Sequence, residues 1–117
     1  MKITVTGRRL AVTDATRTQI ETRMGRLDRL LRDRAVSAQC VVRQERELFE
    51  CEVTVRVSGG RALHGLGRDA RLSTAVGLAV DKVGHQASRL ADRQRTRRRP
   101  ARRPRRGVRQ SGRARRA

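Results

Sequence analysis

The residues with the most evident chemistry in this chain are arginines and lysines set at helical intervals. Arg71, Lys82, Arg89 and Arg93 follow one another at steps of eleven, seven and four. At about 100° per residue, those steps place all four on one flank of a helix. Arg23 and Arg26 stand three apart in an earlier segment. Guanidinium groups bind phosphate through paired N–H bonds, and each phosphate neutralised releases counterions. A polyanion is therefore the expected partner. The chain carries 30 Lys+Arg against 11 Asp+Glu, a formal net charge of +19, and its pI is near 12.0. Nucleic acid fits that balance better than an anionic membrane, because the apolar runs are short and no Trp or Tyr exists to sit at an interface. Phe49 is the one aromatic residue, and its place in a strand alternation points it inward. Base-stacking platforms need exposed rings, so recognition should work through phosphates and shape, which suits folded RNA.

Other chemistries find little support. No nucleophile–base pairing, phosphate loop or paired-carboxylate signature is visible. We expect no enzyme, no catalytic residue and no cofactor. His64 and His85 lie far apart without an accompanying ligand motif, and zinc would need more ligands than Cys40 and Cys51 supply. Two cysteines make no disulfide framework and read as packing residues of a reduced, cytoplasmic protein. Met1-Lys2-Ile3 passes straight into alternating sequence, so no secretory leader is expected.

The elements that must carry these side chains follow from apolar periodicity. Leu72, Val76, Val80, Val83, Ala87 and Leu90 recur at steps of three and four, predicting a helix from residue 69 to about 99 with Asp69 as its N-cap. An earlier helix buries Ile20, Met24, Leu27 and Leu31, starts at a Thr13 or Asp14 cap and ends near residues 32–34. Ile3 and Val5 face inward from a first strand. Val36, Ala38, Cys40 and Val42 do so from a second, and Phe49, Cys51, Val53, Val55 and Val57 from a third. A hairpin centred on Glu45-Arg46 would set Cys40 opposite Cys51. Ser58-Gly59-Gly60 signals a turn, and a weaker strand over 62–67 contains Gly65 and Gly67. The order β-α-β-β-β-α predicts an α+β fold, a four-stranded sheet with two helices packed on one face. Lys2, Thr4, Thr6, Glu50, Glu52, Thr54 and Arg56 would occupy the other face, a mixed surface suited to solvent. If the helices pack side by side, Arg23 and Arg26 would join Arg71, Lys82, Arg89 and Arg93 around one groove.

Charge divides the chain in two. Residues 1–88 hold 16 Lys+Arg and 10 Asp+Glu, whereas residues 89–117 hold 14 Arg and a single acid, Asp92. We expect a folded domain over 1–95 and a disordered Arg-rich tail over 96–117, because the tail has almost no large apolar residue to offset its ordering entropy. A nonspecific polyanion-binding arm is favoured for it over a segment threading among RNA phosphates.

In this order and spacing the chain resembles the ribosome hibernation-promoting factors, also called protein Y, ribosome-associated translation inhibitors or sigma-54 modulation proteins, in their short form. The resemblance is carried by Ile3-Thr4-Val5-Thr6-Gly7, by Thr13-Asp14-Ala15-x-Arg17 with Ile20-Glu21 and Met24, and by Arg26-Leu27-x-Arg29-Leu30. It continues through Glu52-Val53-x-Val55-x-Val57-x-Gly59-Gly60, Ala75-Val76, Val80-Asp81-Lys82-Val83 and Gln86. It covers roughly residues 1–95 in one register and implies the same β-α-β-β-β-α fold. It further implies a non-enzymatic monomer that binds the small ribosomal subunit near the decoding centre. There it would compete with mRNA, tRNA and initiation factors and inhibit translation in stress or stationary phase. Basic residues carried over by position are Arg17, Arg23, Arg26 and Arg29 on the first helix and Lys82 and Arg89 on the second. Ser73 stands where many members have Tyr, and Gly77 where they have an acid. The alternative is a general RNA- or DNA-binding protein that keeps the fold but acts through its tail.

Overall fold

The computed structural model of the chain describes residues 1–97. The elements run β1 (Lys2–Arg8), α1 (Asp14–Leu31), a 3₁₀ turn (Arg32–Arg34), β2 (Ala35–Glu45), β3 (Leu48–Val57), β4 (Ala62–Asp69) and α2 (Leu72–Arg97). The tail expected from residue 96 begins inside α2, and its residues 98–117 lie outside the described residues. The sheet has the order β1-β2-β3-β4. β1 runs parallel to β2, with α1 as the crossover between them, and β3 and β4 follow antiparallel. α2 lies across β3 and β4, and α1 packs beside α2. This is the expected α+β arrangement.

One core joins the layers. Ile20, Met24, Leu27 and Leu31 of α1 meet Val76, Val83 and Ala87 of α2 over an inner sheet face that includes Val5, Cys40, Val42, Val53 and Val55. Each helix is held by its apolar stripe, so the basic residues between stripes are pushed to the flanks and the outer surface. Thr13 is the N-cap of α1, its Oγ1 accepting the Thr16 N–H at 3.1 Å. Asp69, expected to cap the second helix, instead closes β4. Its Oδ2 accepts the N–H of Arg71, just ahead of α2, at 2.9 Å.

Two details of the sheet differ from the sequence-based expectation. The β2–β3 ladder pairs Glu45 with Leu48, so the turn residues are Arg46-Glu47 and Cys40 faces Val53 rather than Cys51. Of these two turn residues only Arg46 has positive φ, +59°, the pattern of a type II′ hairpin whose twist matches its strands. That local geometry, invisible to apolar alternation, moves the register by two and leaves Ala38, Cys40, Val42, Cys51, Val53, Val55 and Val57 on their expected face. The cysteines thus remain diagonal neighbours, with Sγ atoms 3.4 Å apart, fully buried and unbridged. The Cys40–Cys51 hydrogen bond, helped by burial, pushes the Cys51 thiol well above its ordinary range. The second difference is Val36, which points outward at 58% exposure because the ladder shifts between Ala35 and Ser37.

β4, the least secure strand by sequence, is the one against which α2 lies closest. A Cβ on Gly65 would meet the Ala79 carbonyl and Val83, and one on Gly67 the Ala75 carbonyl and the Ala79 nitrogen. The glycines that weaken the strand pattern are what lets the helix settle. Gln86 completes the fit. Its Oε1 accepts the His64 N–H at 3.0 Å and its Nε2 donates to the His64 carbonyl at 2.7 Å. One side-chain amide thereby pairs both backbone groups of His64 on the outer edge of β4, as one residue of a further strand would.

Candidate nucleic-acid interface

α1 presents its basic residues in two directions. Arg23 follows the flank next to Met24 and reaches α2, where it is half-buried over Gly77. A Cβ at Gly77 would lie 3.0 Å from Arg23 Nη1, so the missing side chain is what gives the guanidinium its seat. Arg23, Ser73, Thr74, Gly77, Leu78 and Asp81 line a depression of about 210 Å³ there. Ser73 and Gly77, the two departures from the family pattern, are both part of this seat. Arg26 continues the same flank and is exposed, and Arg29 is exposed further along the helix. Arg17 is exposed on the opposite flank, which by helical spacing also holds Glu21 and Asp28. Asp28 stands 3.6 Å from the N-terminal ammonium group.

The basic flank of α2 faces the other way. Lys82 Nζ donates to the Leu66 carbonyl of β4 at 2.6 Å. Arg89 and Arg93, seven and eleven residues on, share that flank and are exposed, and Arg71 is exposed at the head of the helix. The expected single groove is therefore not formed. Arg23 and Arg26 lie on the α1 side of α2, whereas Lys82 and Arg89 lie on its β4 side, because the apolar stripe between them is buried against the sheet. What forms instead is a two-helix surface with a cationic margin along each side.

The acids of the sheet take little from these margins. On the open face Glu50 bridges Arg43 at 3.1 Å and Arg68 at 2.6 Å, and Glu52 holds His64 at 2.7 Å. Among the described residues, none of these ion pairs engages any of the eight candidate residues. Their cationic heads face solvent, apart from the seat of Arg23 and the bond of Lys82. A phosphate backbone laid along either margin would meet exposed guanidinium groups able to bind it through paired N–H bonds.

Arginines outside α1 and α2 extend the cationic surface, and no helical periodicity reveals them. Arg8, Arg9 and Arg43 line one depression with Gln44 and Glu45 where β1 and β2 end. Arg34 and Arg61 line another together with Arg93 at the opposite end of the sheet. Among the described residues no group of three or more His, Cys, Asp or Glu side chains is arranged to hold a metal ion. No described helix is long and apolar enough to cross a membrane.

Comparison with known proteins adds sequence and fold relationships to this geometry. A ribosome hibernation promoting factor from Azotobacter vinelandii is 31% identical over 86 residues, spanning 74% of this chain and 78% of that protein. The crystal structure of the Thermus thermophilus protein Y N-terminal domain superposes with a TM-score of 0.71 at 33% identity, covering 77% of this chain and 99% of the domain. A ribosomal subunit interface protein from Coxiella burnetii shares the fold, with a TM-score of 0.70 at 19% identity, over 79% and 99% of the two chains. A family model described as sigma 54 modulation protein / S30EA ribosomal protein matches residues 3–95, nearly all of the described structure. The chain belongs to that family of ribosome-associated factors.

Proposed function

We propose that this protein is a ribosome hibernation factor that binds the small ribosomal subunit near the decoding centre. It acts there by occlusion, one monomer per ribosome, excluding mRNA, tRNA and initiation factors and so inhibiting translation in stress or stationary phase. The setting is cytoplasmic and reducing. The observation that carries the reading is the family match over residues 3–95 on a domain whose two helices display basic side chains along both margins. Ribosomal RNA is the surface that would accept them, with Arg23, Arg26 and Arg29 on one margin and Arg89 and Arg93 on the other. Arg17, Arg71 and Lys82 complete the proposed contacts. For Lys82, engagement with RNA would require release of the Leu66 carbonyl. No cofactor and no catalytic step are needed, because overlap alone blocks the channel.

Co-sedimentation with purified ribosomal subunits tests this, comparing the full chain with a version ending at Gln94 at low and moderate salt. The reading expects both to travel with the small subunit at moderate salt. Binding that vanishes with the tail and spreads over any RNA or DNA offered would instead identify a general basic nucleic-acid binder. Phosphate contacts alone lose affinity steeply with salt, whereas a shaped site keeps more of it.

A further inference from the structure

The end of the domain away from the β2–β3 hairpin holds a second kind of cationic feature. Arg34 closes the 3₁₀ turn after α1, Arg61 ends the β3–β4 turn, and Arg93 lies near the end of α2. Far apart in sequence, they line one depression of about 160 Å³ over a floor of Val57 and Leu90. The backbone around it is tied together. Ser58 N–H donates to the Arg34 carbonyl at 2.8 Å, and Val57 N–H to the Arg61 carbonyl at 2.9 Å. Gly59 and Gly60, at φ +95° and +87°, turn the chain tightly enough to bring Arg61 back to this end. Among the described residues the lining contains no carboxylate, and none of the three guanidinium groups enters an ion pair.

The geometry points to a phosphate-binding pocket formed by Arg34, Arg61 and Arg93. Three like charges around one depression whose described lining holds no carboxylate repel one another, and an anion bound there relieves that repulsion while accepting charge-assisted hydrogen bonds. The apolar floor excludes water beneath the anion and strengthens those bonds. The volume admits a phosphate group but leaves no aromatic face for a base, so the ligand is recognised by its phosphate. This group can belong to an RNA backbone or to a free phosphate ester. In the first case the pocket extends the proposed ribosomal contact to the end of the domain and rests on that reading. In the second it is a separate small-anion site.

The test is a titration of the ¹⁵N-labelled full chain with sodium pyrophosphate at constant moderate ionic strength, followed by NMR at the amides of Ser58, Gly59 and Gly60. Residue-specific detection keeps any binding by the arginine tail apart from the pocket. Saturable shifts are expected there, and the double variant Arg34→Gln/Arg61→Gln should weaken them roughly tenfold or more. Its backbone ties use carbonyl groups and survive the substitutions, and unchanged amide shifts elsewhere would verify the fold. Arg46→Gln removes a charge at the opposite end of β3 and should change the affinity by less than about twofold. No saturable shift at these amides, or an equal loss in Arg46→Gln, would overturn the pocket in favour of diffuse charge. Small-subunit binding then identifies the ligand's source. Loss in the Arg34→Gln/Arg61→Gln variant assigns the pocket to backbone phosphate, and retention assigns it to a free ester. Arg23→Gln/Arg26→Gln should weaken subunit binding while leaving the pyrophosphate shifts intact, so the pocket and the helix-margin reading fail independently.

Discussion

Replacing Gly67 by Ala should destabilise the domain, whereas replacing Gly84 by Ala should stabilise it. The added methyl at Gly67 would press on the Ala75 carbonyl and lie 2.8 Å from the Ala79 nitrogen and 2.9 Å from Leu78 Cβ. Two of those neighbours are helix backbone, which cannot rotate away, so α2 must lift from β4. Overpacking of this kind costs about 1–3 kcal/mol, and the conformational gain of Ala over Gly in a strand returns only about 0.5–1 kcal/mol. A net loss of about 1–2 kcal/mol is expected. At Gly84 the nearest atom to a new methyl is Leu27 Cδ2 at 3.8 Å, an ordinary contact. Relief of the helix-interior penalty should therefore add about 1 kcal/mol. Urea unfolding followed by circular dichroism reads both. With a slope of about 2 kcal/mol/M, the Gly67→Ala midpoint falls by roughly 0.5–1 M and the Gly84→Ala midpoint rises by about 0.5 M. Shifts of the same sign in the two variants would refute the close seating of α2 on β4. That seating also determines which way Lys82 and Arg89 point.

Gln86→Ala should strip the outer edge of β4, leaving the His64 N–H and carbonyl to solvent. We expect a loss of about 1–2 kcal/mol in urea unfolding and faster hydrogen exchange at the His64 amide. Arg46→Gly should stabilise the β2–β3 hairpin by about 1 kcal/mol, read as a higher melting temperature, because a non-glycine residue is strained at φ +59°. Gly77→Ala should displace the Arg23 guanidinium from α2. If that seat orients Arg23 for RNA, small-subunit binding weakens several-fold while stability changes by less than about 1 kcal/mol. Cys40 and Cys51 should resist iodoacetamide in the native protein and react on unfolding, since both are fully buried and the hydrogen bond with Cys40, helped by burial, keeps the Cys51 thiol protonated.

The apolar spacing alone was enough to identify both helices, the inward faces of most strand residues and the β-α-β-β-β-α order. Those features follow from which residues must leave water, and their periods of two and 3.6 are local properties of the chain. The same spacing placed Arg23, Arg26, Arg71, Lys82, Arg89 and Arg93 on helix flanks, whereas Arg17 and Arg29 were named from the family resemblance. Local spacing holds no information on which flank meets which neighbour. Tertiary packing set Arg23 against α2 over Gly77 and turned Lys82 toward Leu66, dividing one expected groove into two margins. It also brought together Arg34, Arg61 and Arg93, whose positions in a 3₁₀ turn, a β-turn exit and a helix end share no periodicity. Backbone dihedrals did the rest. Positive φ at Arg46 selected the hairpin turn and so the register, and a ladder shift beside Val36 turned that side chain outward. The glycines of β4 show the division most plainly: in the sequence they weaken a strand, and in the fold they are where a helix backbone needs the space a side chain would fill.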